Sequence, residues 1–141
     1  MAEALRYDAV KIGDELPEMK QNGVTRVQLV KWVAGSGDFN PIHFDVNVAA
    51  KQGHKDVIIP GVYKAEVADK FLMQLAGRGG HICSHKCTYT GIDLVDNTLT
   101  FKGTVTDKYE EDGAKKIVFH YVLVNQEDKV TVKGRAELAL A

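Results

Sequence analysis

An α+β fold, with an antiparallel sheet wrapped around one long helix, is predicted by two contrasting textures within the 141 residues. From Pro60 to about Gly77 apolar residues recur at helical spacing, whereas from His81 to the end they alternate with a period of two. Helix signals followed by a run of strand signals favour a sheet packed on helices over an alternating βαβ chain. The length suits a single domain over residues 1–141, with one core that needs neither metal nor disulfide.

The elements follow in order. Residues 1–24 read as an arm containing a strand or two, punctuated by turn signals at Gly13-Asp14 and Asn22-Gly23. Thr25-Arg26-Val27-Gln28 fits a capping box, in which the Thr25 hydroxyl and the Gln28 amide satisfy backbone groups at a helix start. That helix is expected to turn Val27, Val30, Val33 and Ala34 inward and to stop at Gly35. A second, short helix is expected from Val46 to about Lys51, with Asp45 as its N-cap. On the long helix, Ala65, Ala68, Phe71, Leu72, Leu75 and Ala76 share one side and Glu66, Lys70 and Gln74 the other. Asp69 breaks the pattern by falling in the apolar arc near Val62, Leu72 and Met73, where burial raises a carboxyl pKa unless a donor meets it. Its expected uses are a hydrogen bond to a neighbouring loop or direct work at a site.

Four strands are expected at 81–90, 98–108, 116–125 and 129–141, joined by hairpins at Glu110-Glu111-Asp112-Gly113 and Asn125-Gln126-Glu127-Asp128. The third is read as apolar on both faces, with Val118, His120, Val122 and Val124 against Phe119, Tyr121 and Leu123, and so belongs at the centre of the sheet.

Composition removes several classes of function. A net charge of -1 gives no basic footprint for nucleic acid. No apolar run has the length of a membrane span, and the first residues lack the pattern of a signal peptide, so the expected location is the cytoplasm. Two cysteines, Cys83 and Cys87, are too few for a disulfide framework. Glycine-rich nucleotide motifs and the nucleophile elbow of serine hydrolases are missing from the sequence.

Chemistry concentrates between Gly35 and Asp45. Pro41 removes a backbone donor and pushes Asn40 toward extended angles, while Gly35 and Gly37 permit angles closed to other residues. This places Asp38, Asn40 and His43 on a rigid, non-helical loop. Asp38 and His43 supply a carboxylate and the side chain that titrates near neutrality, a possible acid/base pair. A rival cluster, His81-Ile82-Cys83-Ser84-His85-Lys86-Cys87, sets two imidazoles and two thiols at alternate positions and hence on one strand face. Zinc favours such ligands, but a straight strand spreads them over about 20 Å at ~3.3 Å per residue, too far for one ion. Packing along a sheet face or a subunit contact is the expectation, with no metal.

Ser36-Gly37-Asp38-Phe39-Asn40-Pro41-Ile42-His43-Phe44-Asp45 resembles the hydratase motif of the MaoC-like, (R)-specific enoyl-CoA hydratase family. The order of elements resembles that family's hotdog fold, over nearly the whole chain. The resemblance extends to Asn97-Thr98-Leu99-Thr100-Phe101-Lys102-Gly103 and Gly134-Arg135-Ala136. It implies a hydro-lyase that interconverts trans-2-enoyl and (R)-3-hydroxyacyl thioesters of CoA or a carrier protein, without metal or redox cofactor, as a homodimer. Asp38 and His43 would be the catalytic pair, Asn40 and Ser36 orienting groups, and Gly61 the oxyanion donor at the helix start. Lysines such as Lys64 would be candidates for the CoA phosphates.

Three departures from the family pattern stand out. Pro60 replaces a histidine before Gly61, Asp69 stands where some relatives carry serine, and Thr88-Tyr89-Thr90-Gly91-Ile92-Asp93 replaces Arg-Phe-x-x-Pro-Val. A polar lining there would suit a short or carboxylated acyl group. Two other readings stay open: a thioesterase using Asp69 or Glu66, and a non-catalytic acyl-binding subunit of a heteromeric dehydratase.

Overall fold

The computed structural model describes residues 3–141. Its elements are β1 (Met19–Gln21), α1 (Arg26–Ser36), a 3-10 turn (Pro41–His43), α2 (Val46–Lys51), α3 (Gly61–Ala76), β2 (His81–Tyr89), β3 (Leu99–Glu111), β4 (Ala114–Val124) and β5 (Val130–Leu140). The strands form one antiparallel sheet in the order β1-β3-β4-β5-β2, and α3 packs into its concave face. This is the hotdog arrangement, and β4 is the central strand as its two apolar faces require.

Local chemistry accounts for the boundaries. Thr25 and Gln28 form the capping box, with the Gln28 backbone N–H donating to the Thr25 hydroxyl and the Thr25 N–H donating to the Gln28 side chain at 2.7 Å. Thr25→Ala is therefore expected to lower unfolding stability by about 1 kcal/mol, read as a shift in a urea titration midpoint. Asp45 caps α2 by accepting from the backbone N–H of Asn47 and Val48. Asp112 and Gly113 both have positive φ, 51° and 78°, which is the two-residue turn that matches the twist of the β3–β4 hairpin.

The core lies between α3 and the sheet. Phe71 meets Phe101 edge to face at 6.0 Å, and Tyr121 stacks on Phe101 at 4.9 Å. Leu72, Leu75, Leu99, Phe119, Leu123 and Leu138 are buried around them, each contributing about 1.5–3 kcal/mol of transfer free energy.

Several expectations need correction. α1 continues through Gly35 to Ser36 and ends on Gly37, whose φ of 76° is the left-handed cap that glycine tolerates. It buries Leu29 and Val33, while Val27 and Val30 are exposed. Its apolar residues surround the helix, so periodicity alone did not select the buried face. The loop after it is partly regular: Pro41–His43 is a 3-10 turn with proline at its start and Asn40 as cap, although Asn40 itself is extended as expected. The N-terminal arm supplies one short strand and an isolated bridge from Glu15 to Thr104.

On α3 the stripe Val62, Asp69 and Met73 faces outward rather than into the core. β2 carries a bulge between Ile82 and Ser84, which shifts the alternation by one. His81 and Cys83 are consequently exposed while His85 and Cys87 face α3, so the four do not share a face. Among the described residues no group of three or more His, Cys, Asp or Glu is placed to hold a metal ion. No helix among them is long and apolar enough to cross a membrane.

A buried ion pair anchors the start of α3. Lys64, 2% exposed, donates through Nζ to Asp93 Oδ2 at 3.0 Å, to the Gly91 carbonyl at 2.8 Å and to the Thr131 carbonyl at 3.4 Å. Asp93 is fully buried and its other oxygen accepts from Asn125 Nδ2 at 3.0 Å and Asn97 Nδ2 at 3.4 Å. Two charges taken out of water need this many partners. Lys64 is thus a structural cation and is not placed to meet CoA phosphates. Asp93 is likewise spent inside the fold and does not line an acyl pocket.

Candidate active site

Capping of α1 by Gly37 delivers the chain directly into the segment 38–45, and that segment is fixed by its own short side chains. The Asp38 backbone N–H donates to the Ser36 hydroxyl at 3.2 Å, and Asp38 Oδ1 accepts from the Asn40 N–H at 3.2 Å. Asn40 Oδ1 in turn accepts from the Ile42 N–H at 3.3 Å, so the Asn40 side chain shapes the backbone that carries His43. Ser36 and Asn40 therefore bond to the backbone of the segment and make no hydrogen bond to the imidazole.

His43 is almost buried, with 10% of its side chain exposed, and Asp38 is 42% exposed. The imidazole Nδ1 lies 2.9 Å from the Ile58 carbonyl oxygen. A carbonyl only accepts, so Nδ1 carries a hydrogen and the neutral ring presents Nε2 as an acceptor. Nε2 is 3.8 Å from Asp38 Oδ2. That distance is too long for a direct hydrogen bond, and the two atoms form a pair of acceptors to which one water molecule can donate both hydrogens.

The bond to Ile58 also ties the pair to the start of α3. Ile58 donates its N–H to the Ile42 carbonyl, and residues 57–59 pair with 93–95 through Val95 N–H to Val57 and Ile59 N–H to Asp93. Pro60 follows, then Gly61 as the first residue of α3, with no side-chain cap. The first N–H groups of an uncapped helix lack intrahelical acceptors and sit at the positive end of its dipole. Gly61 is held close: a Cβ built there would lie 2.8 Å from the Tyr89 ring. Tyr89 from β2 thus covers the helix start, and glycine is the residue that leaves room for it.

Asp69 belongs to a separate set. Its Oδ1 accepts from His85 Nδ1 at 2.7 Å, and His85 Nε2 lies 2.6 Å from the Tyr121 hydroxyl. Burial above all pushes the Tyr121 phenol pKa upward, so it stays protonated and donates to Nε2. The partner of Asp69 is therefore on a strand, two positions beyond the bulge, and not on a loop. Neither Asp38 nor His43 forms a hydrogen bond or ion pair with Asp69 among the described residues. Glu66 is engaged elsewhere, accepting from Trp32 Nε1 at 2.8 Å.

Sequence reading missed the Lys64–Asp93 ion pair and the contacts of His85 with Asp69 and Tyr121. Lys64 was detectable, because it precedes Val67, Ala68 and Phe71 on the buried side of α3 at helical spacing. The others depend on pairing between distant strands. Depressions of about 440 and 460 Å³ lie on the outer face of the sheet around His120 and Val122. Tyr121 lines both, but neither includes Asp38, His43, Asp69 or His85, and they are troughs beside the glycines of β3 and β5.

Phe39, Phe44, Val46, Val62, Tyr89 and Ile92 are all exposed, and among the described residues β2 leaves one edge unpaired.

Residues 8–128 match the MaoC like domain family. No curated protein matches the sequence. Among solved structures, the chain is similar to one from the ChsH1-ChsH2 complex of Mycobacterium tuberculosis, with 26% identity and a TM-score of 0.78, covering 93% of this chain and 98% of that one. It is similar to the R-hydratase PhaJ1 of Pseudomonas aeruginosa at 23% identity and a TM-score of 0.84, covering 99% and 87%. It also resembles the (R)-hydratase of A. caviae involved in PHA biosynthesis, at 21% identity and a TM-score of 0.81, covering 94% and 98%.

Proposed function

Because this chain belongs to the MaoC-like dehydratase family, we propose that it is a hydro-lyase that adds water to trans-2-enoyl thioesters of CoA or a carrier protein, giving (R)-3-hydroxyacyl thioesters. The observation that carries this reading is the paired acceptors, Asp38 Oδ2 and His43 Nε2, tied through Ile58 to the uncapped start of α3.

The pieces match what hydration requires. Water held between the two acceptors gives up a proton to one of them as its oxygen attacks C3 of the enoyl group. Electron density moves onto the thioester oxygen, where the Gly61 N–H and the positive end of α3 stabilise it. Protonation of C2 by the acid member of the pair completes the addition, so one oxygen and two hydrogens enter the product. Asp38 and His43 act as one unit, with the protons shared between them.

Gly61→Ala is expected to reduce turnover about tenfold, because a methyl group there drives the Tyr89 ring off its position by a clash of the overpacking kind. Tyr89→Ala in the same chain is expected to restore much of the loss, as read from steady-state rates. A Gly61→Ala chain with wild-type rates would remove Gly61 from the account.

The exposed apolar residues and the free edge of β2 support association with a second subunit, which would cover them. A homodimer is the simplest form. The experiment that tests the activity is loss of enoyl absorbance with crotonyl-CoA, beside release of free CoA from butyryl-CoA. The proposal expects the first and not the second; the reverse result would mark a thioesterase.

A further inference from the structure

The outer face of the sheet, opposite α3, concentrates positive charge that neither the fold nor the candidate active site uses. Strand pairing sets Lys86 of β2 directly opposite Arg135 of β5, and Arg135 directly opposite His120 of β4. Lys133 lies two residues along β5 on the same face, between Thr88 and Val122. At about 4.8 Å between strands and ~3.3 Å per residue, the four basic groups rise from a patch of roughly 10 by 7 Å. They line the depression of about 460 Å³, and no acidic residue among those described lines it with them.

All four are exposed, and no described residue makes a hydrogen bond or ion pair with their side chains. Elsewhere on this face the cations are answered, Lys116 by Glu111 and Glu137 and Lys102 by Glu18 at 3.3 Å. Like charges set directly opposite across strands work against the sheet, so the pairing of Lys86 with Arg135 lowers stability in the absence of an anion. With a net charge of -1 for the whole chain, the concentration is local.

We infer that this depression binds a pair of linked phosphates, such as those of a nucleoside diphosphate. Arg135 offers a planar fork that takes two oxygens of one phosphate, and Lys86 and Lys133, beside it across and along the strands, offer point charges to the other. His120 closes the far side. The basic groups stop at Glu18 on one side and Glu137 on the other, which suits a compact anion and not a nucleic-acid strand. The site lies on the face of the sheet away from α3, and the inference does not rest on the hydratase reading. Two sources carry this chemistry, a free nucleoside diphosphate and the diphosphate of CoA. Thr88 lines the depression, and the next residue, Tyr89, covers Gly61 on the other side of β2, so either source would bind one residue from the helix start.

The test is calorimetric titration of ADP, pyrophosphate and inorganic phosphate into wild type, Lys86→Gln, Arg135→Gln and a control, Lys115→Gln, with thermal melts of the same samples. Wild type is expected to bind ADP and pyrophosphate about tenfold or more tighter than inorganic phosphate, with affinity falling as salt rises. Arg135→Gln and Lys86→Gln are each expected to weaken both about tenfold. Lys115→Gln, beside Asp8 and outside the depression, is expected to change neither. Without ligand, Lys86→Gln is expected to melt at or above the wild-type temperature, because it ends the opposition to Arg135, whereas a residue kept for stability would melt lower when replaced. Repeating the ADP titration with saturating butyryl-CoA separates the sources: lost binding assigns the site to the diphosphate of CoA, and retained binding to a free nucleotide. Failure of wild type to bind ADP or pyrophosphate at millimolar concentration would overturn the inference. So would unchanged binding by Arg135→Gln, equal weakening by Lys115→Gln, or a lower melting temperature of unliganded Lys86→Gln.

Discussion

Asp38→Asn and His43→Gln are each expected to lower kcat for enoyl hydration by about 10²–10⁴-fold, the range for loss of a positioned acid or base. The first substitution keeps an oxygen able to accept from the Asn40 N–H, so the segment 38–43 should hold its shape while losing the second acceptor. Glutamine at 43 retains a donor toward the Ile58 carbonyl but has no titrating group. The double variant is expected to be little slower than the slower single one, because the two groups serve one proton inventory. Thermal melts would separate this from unfolding. A variant that keeps wild-type kcat would remove that residue from the chemistry.

Lys64→Met is expected to destabilise the fold by about 3–5 kcal/mol, since it leaves the Asp93 carboxylate buried with amide donors alone. For a chain of this size that is roughly a 10 °C loss in Tm at ~2–4 °C per kcal/mol. Lys64→Met with Asp93→Leu is expected to recover most of it, because removing both charges ends the desolvation cost. Such a pattern, severe as a single change and mild as a pair, distinguishes a buried ion pair from loss of packing. Near-wild-type stability in Lys64→Met would contradict the burial. The pair also joins α3 to the 91–95 segment beside Gly61, so a measured activity loss in the double variant would report on the position of the helix start.

Much of the fold was legible because the relevant signals are local. The Thr25–Gln28 capping box, Asp45 before α2, Pro60-Gly61 before α3 and the Asp112-Gly113 turn each act within a few residues, and the switch from helical to alternating periodicity marks where the sheet begins. The candidate site was legible in part for the same reason, since Ser36, Asp38, Asn40 and His43 lie within eight positions on one segment. What sequence left hidden depends on distance along the chain. Lys64 finds Asp93 across 29 residues, and His85 finds Tyr121 across 36. The bulge in β2 split its histidines and cysteines between two faces, and nothing in the local spacing announces a single extra residue. On α1, apolar residues on every side left the inward face to be chosen by what packs against it, which was Leu29 and Val33.

The central claim is that Asp38 and His43 add the elements of water across C2 and C3 of an enoyl thioester. The most direct measurement is nuclear magnetic resonance of the product formed from crotonyl-CoA in deuterated water, with chiral analysis of the alcohol, on wild type and Asp38→Asn. The account expects one deuterium at C2, a hydroxyl at C3 in the (R) configuration, an intact thioester, and no product from the variant on the same timescale. Free CoA with an unlabelled acyl chain, or labelled product from the variant at the wild-type rate, would contradict it.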